Sequence, residues 1–215
     1  MVSRATISTI VDMNIHTKAT ADSALGSPDA GAATHPVDVL SREHQTILVV
    51  LGVMDAEQHR LVDGALVRRP FWAAVLEFLE HYADRCHHGK EEQLLFVELE
   101  RAGLPAEHGP TACMRKEHEI GRQSRQAMVA AVREGDGAAL ATAAGGYVEL
   151  LREHIAKEDQ VLFPMAKSVL DQAAVARLRR GFARVDHHDL GAGSHGKYEE
   201  LARGLAADGA RPPQC

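Results

Sequence analysis

Between residues 37 and 168 apolar side chains return every three or four positions, the period of helices that bury one face. In DVLSREHQTILVVLGVMDAEQHRLV the positions Leu40, Ile47, Leu48, Leu51 and Met54 share one side. A second helix is predicted from about Pro70 to Arg101, with Leu76, Leu79, Ala83, Leu94 and Leu95 recurring on one face. Pro70 suits its first turn, because proline lacks an N–H that would be unpaired there anyway. A third helix begins near Thr111 and fades at REGDG, where Gly135 and Gly137 stop it. The fourth covers roughly 138–168, and Pro164 should kink it or tighten its last turns. Weaker patterns predict a fifth helix over 171–184 and a helical piece in KYEELARGLA.

Four long amphipathic helices with short connections predict an all-α fold, an antiparallel up-down-up-down four-helix bundle over residues 37–170. Residues 171–215 are expected to form an additional C-terminal helical extension and tail. Residues 1–36 are rich in Ala, Ser, Thr, Gly and Asp without a sustained period, which predicts a flexible N-terminal extension.

Polar residues break the apolar faces in a repeated way. HHGKEEQLLF at 87–96 and HIAKEDQVLF at 154–163 share a histidine, a Lys-Glu pair, a glutamine and a Leu-Phe step. His87 and Glu91, and likewise His154 and Glu158, are four residues apart, about 6 Å of rise and about 40° of rotation, so each pair points the same way. Tyr147, Leu150, Leu151, Val161, Leu162 and Met165 flank the second pair on its stripe. The other two helices carry Glu43-His44, with His44 between Leu40 and Ile47, and Glu117-His118. The chain therefore reads as a duplicated helical hairpin that turns four histidines and two glutamates inward. Burying such groups among leucines costs several kcal/mol unless something compensates them. Two carboxylates bridging two cations, with two imidazoles on each, would do so. A mixed imidazole and carboxylate set suits iron, manganese or zinc.

Composition narrows the partners. A net charge of -6 and the absence of clustered Lys and Arg argue against nucleic acid. No run approaches a membrane span, and Asp12, Asn14 and His16 interrupt any signal-like stretch, so a cytoplasmic, membrane-free protein is expected. Cys86, Cys113 and Cys215 lack paired spacing, which fits reduced thiols.

The order His44, His87/Glu91, His118, His154/Glu158 resembles the hemerythrin-like, or HHE cation-binding, domain family, over about residues 37–168. The resemblance implies a non-haem di-iron centre, oxo- or hydroxo-bridged, with those six residues as metal ligands. It implies binding or sensing of dioxygen, nitric oxide or related small oxidants; the alternative is an enzyme that consumes peroxide. Manganese or zinc is the alternative loading. The oxygen-carrying members have a fifth histidine one turn after the first on the third helix, where this chain has Arg122. With four histidines both irons would keep an open position, which favours turnover over storage. Tyr147, Glu117 and Glu119 are the candidates for a substitute ligand or supporting partner.

The remaining groups read as supporting or solvated. His88 and Glu92 also stand four apart, but His88 aligns with Ile155 in the repeat and His87 with His154. His88, Glu92 and Asp159 are therefore expected to support the ligands or lie at the surface. His81, His16, His35, His59 and His108 are expected to be exposed or solvated, and His187, His188 and His195 to belong to a polar linker, with an accessory metal tract as the alternative. Cys86 is expected as a small buried apolar residue.

Overall fold

A computed structural model describes residues 34–189 and 194–209; the expected N-terminal extension falls almost wholly outside them. Among the described residues there are six helices and no strand. Helix α1 is Pro36–Val62, α2 the continuous run 69–101, α3 Pro110–Glu134, α4 the run 137–169, α5 Gln172–Asp189 and α6 Ser194–Gly209. No described helix is long and apolar enough to cross a membrane.

Local chemistry sets the helix ends. His35 accepts the Val37 N–H through Nδ1 at the start of α1. Gly135 ends α3 at φ +77°, a left-handed conformation that an L side chain adopts at a cost. Gly137 does not stop that helix, contrary to expectation. It opens α4, because Asp136 already caps it by accepting the Ala139 N–H at 2.9 Å.

The helices α3 and α4, and α1 and α4, form the most extensive pairs. Ser41 meets Asp159 while Asp55 meets Arg152, so α1 and α4 run in opposite directions. Arg125 pairs with Glu80, Arg122 with Asp84 and Arg115 with Glu100, which makes α2 and α3 antiparallel as well. Helix α6 packs on α1 and on the first part of α2, and α5 lies against the later part of α2. At Gly181 of α5 an added Cβ would sit 2.8 Å from a terminal methyl of Leu94, so the two helices approach closely there and a larger residue would make Leu94 shift.

Two helices widen where the sequence repeats. Residues Glu91–Leu95 of α2 and Glu158–Leu162 of α4 are π-helical: the Phe96 N–H donates to Glu91 O and the Phe163 N–H to Glu158 O, five residues back. The duplication thus extends to the backbone. Helix α2 alone carries a second, longer π-helical stretch, Leu79–His88, closed by the Gly89 N–H on Asp84 O. These turns shift the inward register. Val161, expected on the apolar stripe, is exposed, while Leu162 and Phe163 are buried in its stead. Pro164 follows this widened turn, so the turns before it are loosened and not tightened.

The apolar core has two clusters. One joins Ile47, Leu51, Phe78, Tyr82 and Leu151, and the other joins Leu40, Leu95, Phe96, Leu162 and Phe182. Along each of α1, α2 and α4 the change from one cluster to the other falls at a layer of buried histidine and glutamate. That layer is the candidate site.

Candidate metal centre

His44, His87, Glu91, His118, His154 and Glu158 are all buried, and they meet. Glu158 Oε2 lies 3.2 Å from His44 Nε2 and 3.3 Å from His154 Nε2. Glu91 lies 3.4 Å from His87 Nε2 through Oε1 and 3.4 Å from His118 Nε2 through Oε2. Each carboxylate therefore touches one imidazole from either hairpin. His44, His87, Glu91 and Glu158 form one group of donor atoms within 4.8 Å of one another.

The second group corrects an expectation. It consists of Glu91, His118, His154 and His88. His88 is 4% exposed, and neither ring nitrogen has a hydrogen-bond partner, so it is no surface residue. Its nearest carboxylate, Asp84, is 3.6 Å from Nδ1, beyond hydrogen-bond reach. In an α-helix adjacent residues diverge by about 100°. The stretch Leu79–His88 is π-helical, and His87 and His88 both turn inward, each into a different group. A fifth buried histidine therefore stands on α2, where α3 has none in the place of Arg122.

Each of the other four histidines gives Nδ1 to a carboxylate: His44 to Asp159 at 3.0 Å, His87 to Glu43 at 2.9 Å, His118 to Glu92 at 2.7 Å and His154 to Glu117 at 3.0 Å. Such bonds fix the ring and its tautomer and leave Nε2 to the interior. Glu92 and Asp159 support histidines as expected, and Glu43, to which the sequence pattern assigns no role, does the same for His87. Glu117, one of three candidates in the sequence, holds His154. Tyr147 is buried against Gly121 and lines a cavity of about 10 Å³ with His88 and His118, room for one water molecule. Glu119 is exposed and bonds Arg122 and Gln123. Arg122, where carriers have histidine, pairs with Asp84 at 2.8 Å and Glu92 at 2.9 Å.

Charges within the layer are divided unequally. Burial and the neighbouring Glu158 push the Glu91 carboxyl far above its usual range. Burial opposes ionisation of Glu158 too, but His154 and His44 outweigh it and hold its pKa far down. Burial disfavours the charge on His154, yet Glu158 and Glu117 lift its pKa to about 9. His87, His88 and His118 are driven down, chiefly by burial.

Both oxygens of Glu91, both of Glu158, both nitrogens of His88 and Nε2 of His44 lack hydrogen-bond partners. Buried polar atoms without partners are rare and costly. These converge on one place and are of the donor types that bind divalent cations. The Hemerythrin HHE cation binding domain family matches residues 35–166. The chain belongs to that family. The HHE match takes in α1 to α3, α4 as far as residue 166, and every residue of both donor groups. Relatives include the uncharacterized proteins Mb2018 of Mycobacterium bovis and Rv1995 of Mycobacterium tuberculosis (strain H37Rv), each 26% identical over 164 residues, 74% of this chain and 63% of the relative. The chain thus matches under two thirds of the length of these relatives. No solved structure matches the chain.

Other sequence expectations divide. His59 and His108 are exposed, and His16 lies outside the described residues. His81 is half-buried, its ring 6.1 Å from that of Tyr198, and His35 is the cap of α1. Cys86 is buried as expected, but its thiol faces Asp186 and His195 at 3.5 and 3.6 Å, and burial pushes its pKa far up. His195 is no linker residue: it belongs to α6 and joins that polar group. His187 is exposed, and the side chain of His188 lies outside the described residues.

Proposed function

We propose that this is a hemerythrin-like non-haem di-iron protein that binds or senses dioxygen, nitric oxide or a related small oxidant. In this reading α1 to α4 form an antiparallel up-down-up-down bundle around the metals, and α5 and α6 are an appended helical extension. The observation that carries the proposal is the convergence of donor atoms on Glu91, Glu158, His44 and His88 that have no other partner.

His44, His87, Glu91 and Glu158 would hold one ion, and His88, His118, His154 and Glu91 the other, with Glu91 shared. Iron would supply the redox-active electrons for reversible ligand uptake; zinc, which has none to give, would not. The chain's own part is to hold and orient. Asp159, Glu43, Glu92 and Glu117 keep four imidazoles in the metal-facing tautomer.

Three imidazoles in one group against two in the other make the positions unequal. The first lacks a third imidazole and is the one left able to accept an exogenous ligand. That asymmetry favours binding over turnover and reverses the expectation drawn from Arg122.

The test is optical. Reduced, iron-loaded protein should gain a visible absorption band on exposure to oxygen or nitric oxide and lose it when the gas is removed. Sustained oxygen evolution from peroxide, abolished in His87→Ala and His154→Ala, would replace this reading with the peroxide-consuming enzyme.

A further inference from the structure

A third polar cluster adjoins the first donor group. Glu43, Cys86, Asp186 and His195 bring ligand-type atoms within 4.8 Å of one another. Its cation is already supplied by a side chain. Lys90, 0% exposed, places Nζ 2.5 Å from Glu43 Oε1, 2.5 Å from Asp186 Oδ1 and 3.3 Å from His195 Nε2. Phe182 of α5 adds its ring face 5.7 Å from the same nitrogen. His195 Nε2 is also 2.9 Å from Asp186 Oδ1. Glu43 spends its other oxygen, Oε2, on His87 Nδ1. An unbroken line of contacts therefore runs from Asp186 and His195 through Lys90 and Glu43 to His87.

The internal repeat supplies a comparison within the molecule. Lys157 occupies the position in α4 that Lys90 occupies in α2, and it likewise bonds the carboxylate, Glu117, that holds a histidine. The Lys157 side chain is 43% exposed. Lys90 differs because α5 and α6 cover it and bring Asp186 and His195. Both residues lie outside the segment 35–166 that matches the family. A buried ammonium requires close, well-placed anions, and two carboxylates shared around it form a rigid unit where a solvated pair would sample many geometries.

We propose that α5 and α6 are a clamp on one of the two metal positions: Asp186 and His195 fix Lys90, Lys90 fixes Glu43, and Glu43 orients His87. Asp186 and His195 are positioning residues, and they act on the ion of His44, His87, Glu91 and Glu158 and not on its neighbour. The inference rests on the reading of His87 as a ligand. It assigns the C-terminal helices the task of retaining metal at the position open to exogenous ligand.

Release of iron from the full-length, iron-loaded protein to excess ferrous chelator tests this, with two variants and a control. Asp186→Asn should accelerate release of one of the two ions about tenfold, and His195→Ala should accelerate the same ion by a smaller factor, each leaving the other ion unchanged. Glu77→Gln is the control, since it breaks the 2.9 Å tie of Glu77 to Lys197 of α6 without touching the line to His87. It should release both ions at the wild-type rate. Wild-type release kinetics in both Asp186→Asn and His195→Ala, or equal acceleration in Glu77→Gln, would overturn the clamp while leaving the metal centre intact. Wild-type protein that retains no iron would overturn the metal reading itself, and the clamp with it.

Discussion

The ring of His88 lies flat against that of His118, with centroids 3.8 Å apart and planes 14° from parallel, although the two residues sit on different helices. Its edge faces His154, 5.9 Å away and nearly perpendicular. Three imidazoles thus surround one end of the buried layer, and two, His44 and His87, stand at the other end with centroids 4.6 Å apart. A duplicated hairpin has become unsymmetrical through one residue, since the repeat has Ile155 where α2 has His88.

Restoring the symmetry should therefore weaken one metal position alone. His88→Ile is expected to fold, because the repeat accepts isoleucine at the matching position, and to bind one iron as before and the other at least tenfold more weakly. An anaerobic iron titration followed by calorimetry would read this as two separated binding steps.

Glu91 is expected to trade stability for binding. In the metal-free protein it is a fully buried carboxyl with neither oxygen partnered, beside Glu158. Glu91→Gln removes the repulsion while keeping the shape, so the metal-free variant should melt several degrees above wild type at pH 8. It should also lose tight binding of both ions. Thermal melts of the two apoproteins, with metal analysis of the same samples, check both halves.

The pH dependence of the metal-free protein follows from opposed shifts. His154, lifted to about 9, and Glu91, also raised, contribute stability that is present at low pH. The His154 share is complete below about 6.5 and is lost as pH rises through 9. His87, His88 and His118, with lowered pKa values, contribute stability that is present above about 6.5 and is lost as pH falls below it. The melting temperature of the apoprotein should therefore peak near pH 6.5 and fall on either side. A monotonic rise from pH 6.5 to 9 would contradict this charge distribution.

Most of this arrangement was legible from residue spacing. The helices follow from the three-and-four apolar period, and His44, His87, Glu91, His118, His154 and Glu158 stand out because they interrupt apolar faces in duplicate. His88 does not, for a physical reason: alignment within the repeat assumes one backbone register, and π-helical turns at Leu79–His88 change it without altering the hydrophobic pattern visibly. The doubled pairs His87/Glu91 and His88/Glu92 were the available signal. The separate π-helical turn of α4, Glu158–Leu162, likewise accounts for Val161 facing outward. The line from His195 to His87 was hidden for another reason. Lys90 and its partners Asp186 and His195 are about a hundred residues apart in the chain, and nothing in local periodicity pairs them.

The most direct test is the anomalous-difference density of crystals of the iron-grown protein, recorded at the iron edge. Two peaks are expected in the buried layer, one within bonding distance of His44, His87, Glu91 and Glu158 and the other of His88, His118, His154 and Glu91. An absence of peaks there, or a single peak with His88 turned away from it, would contradict this arrangement.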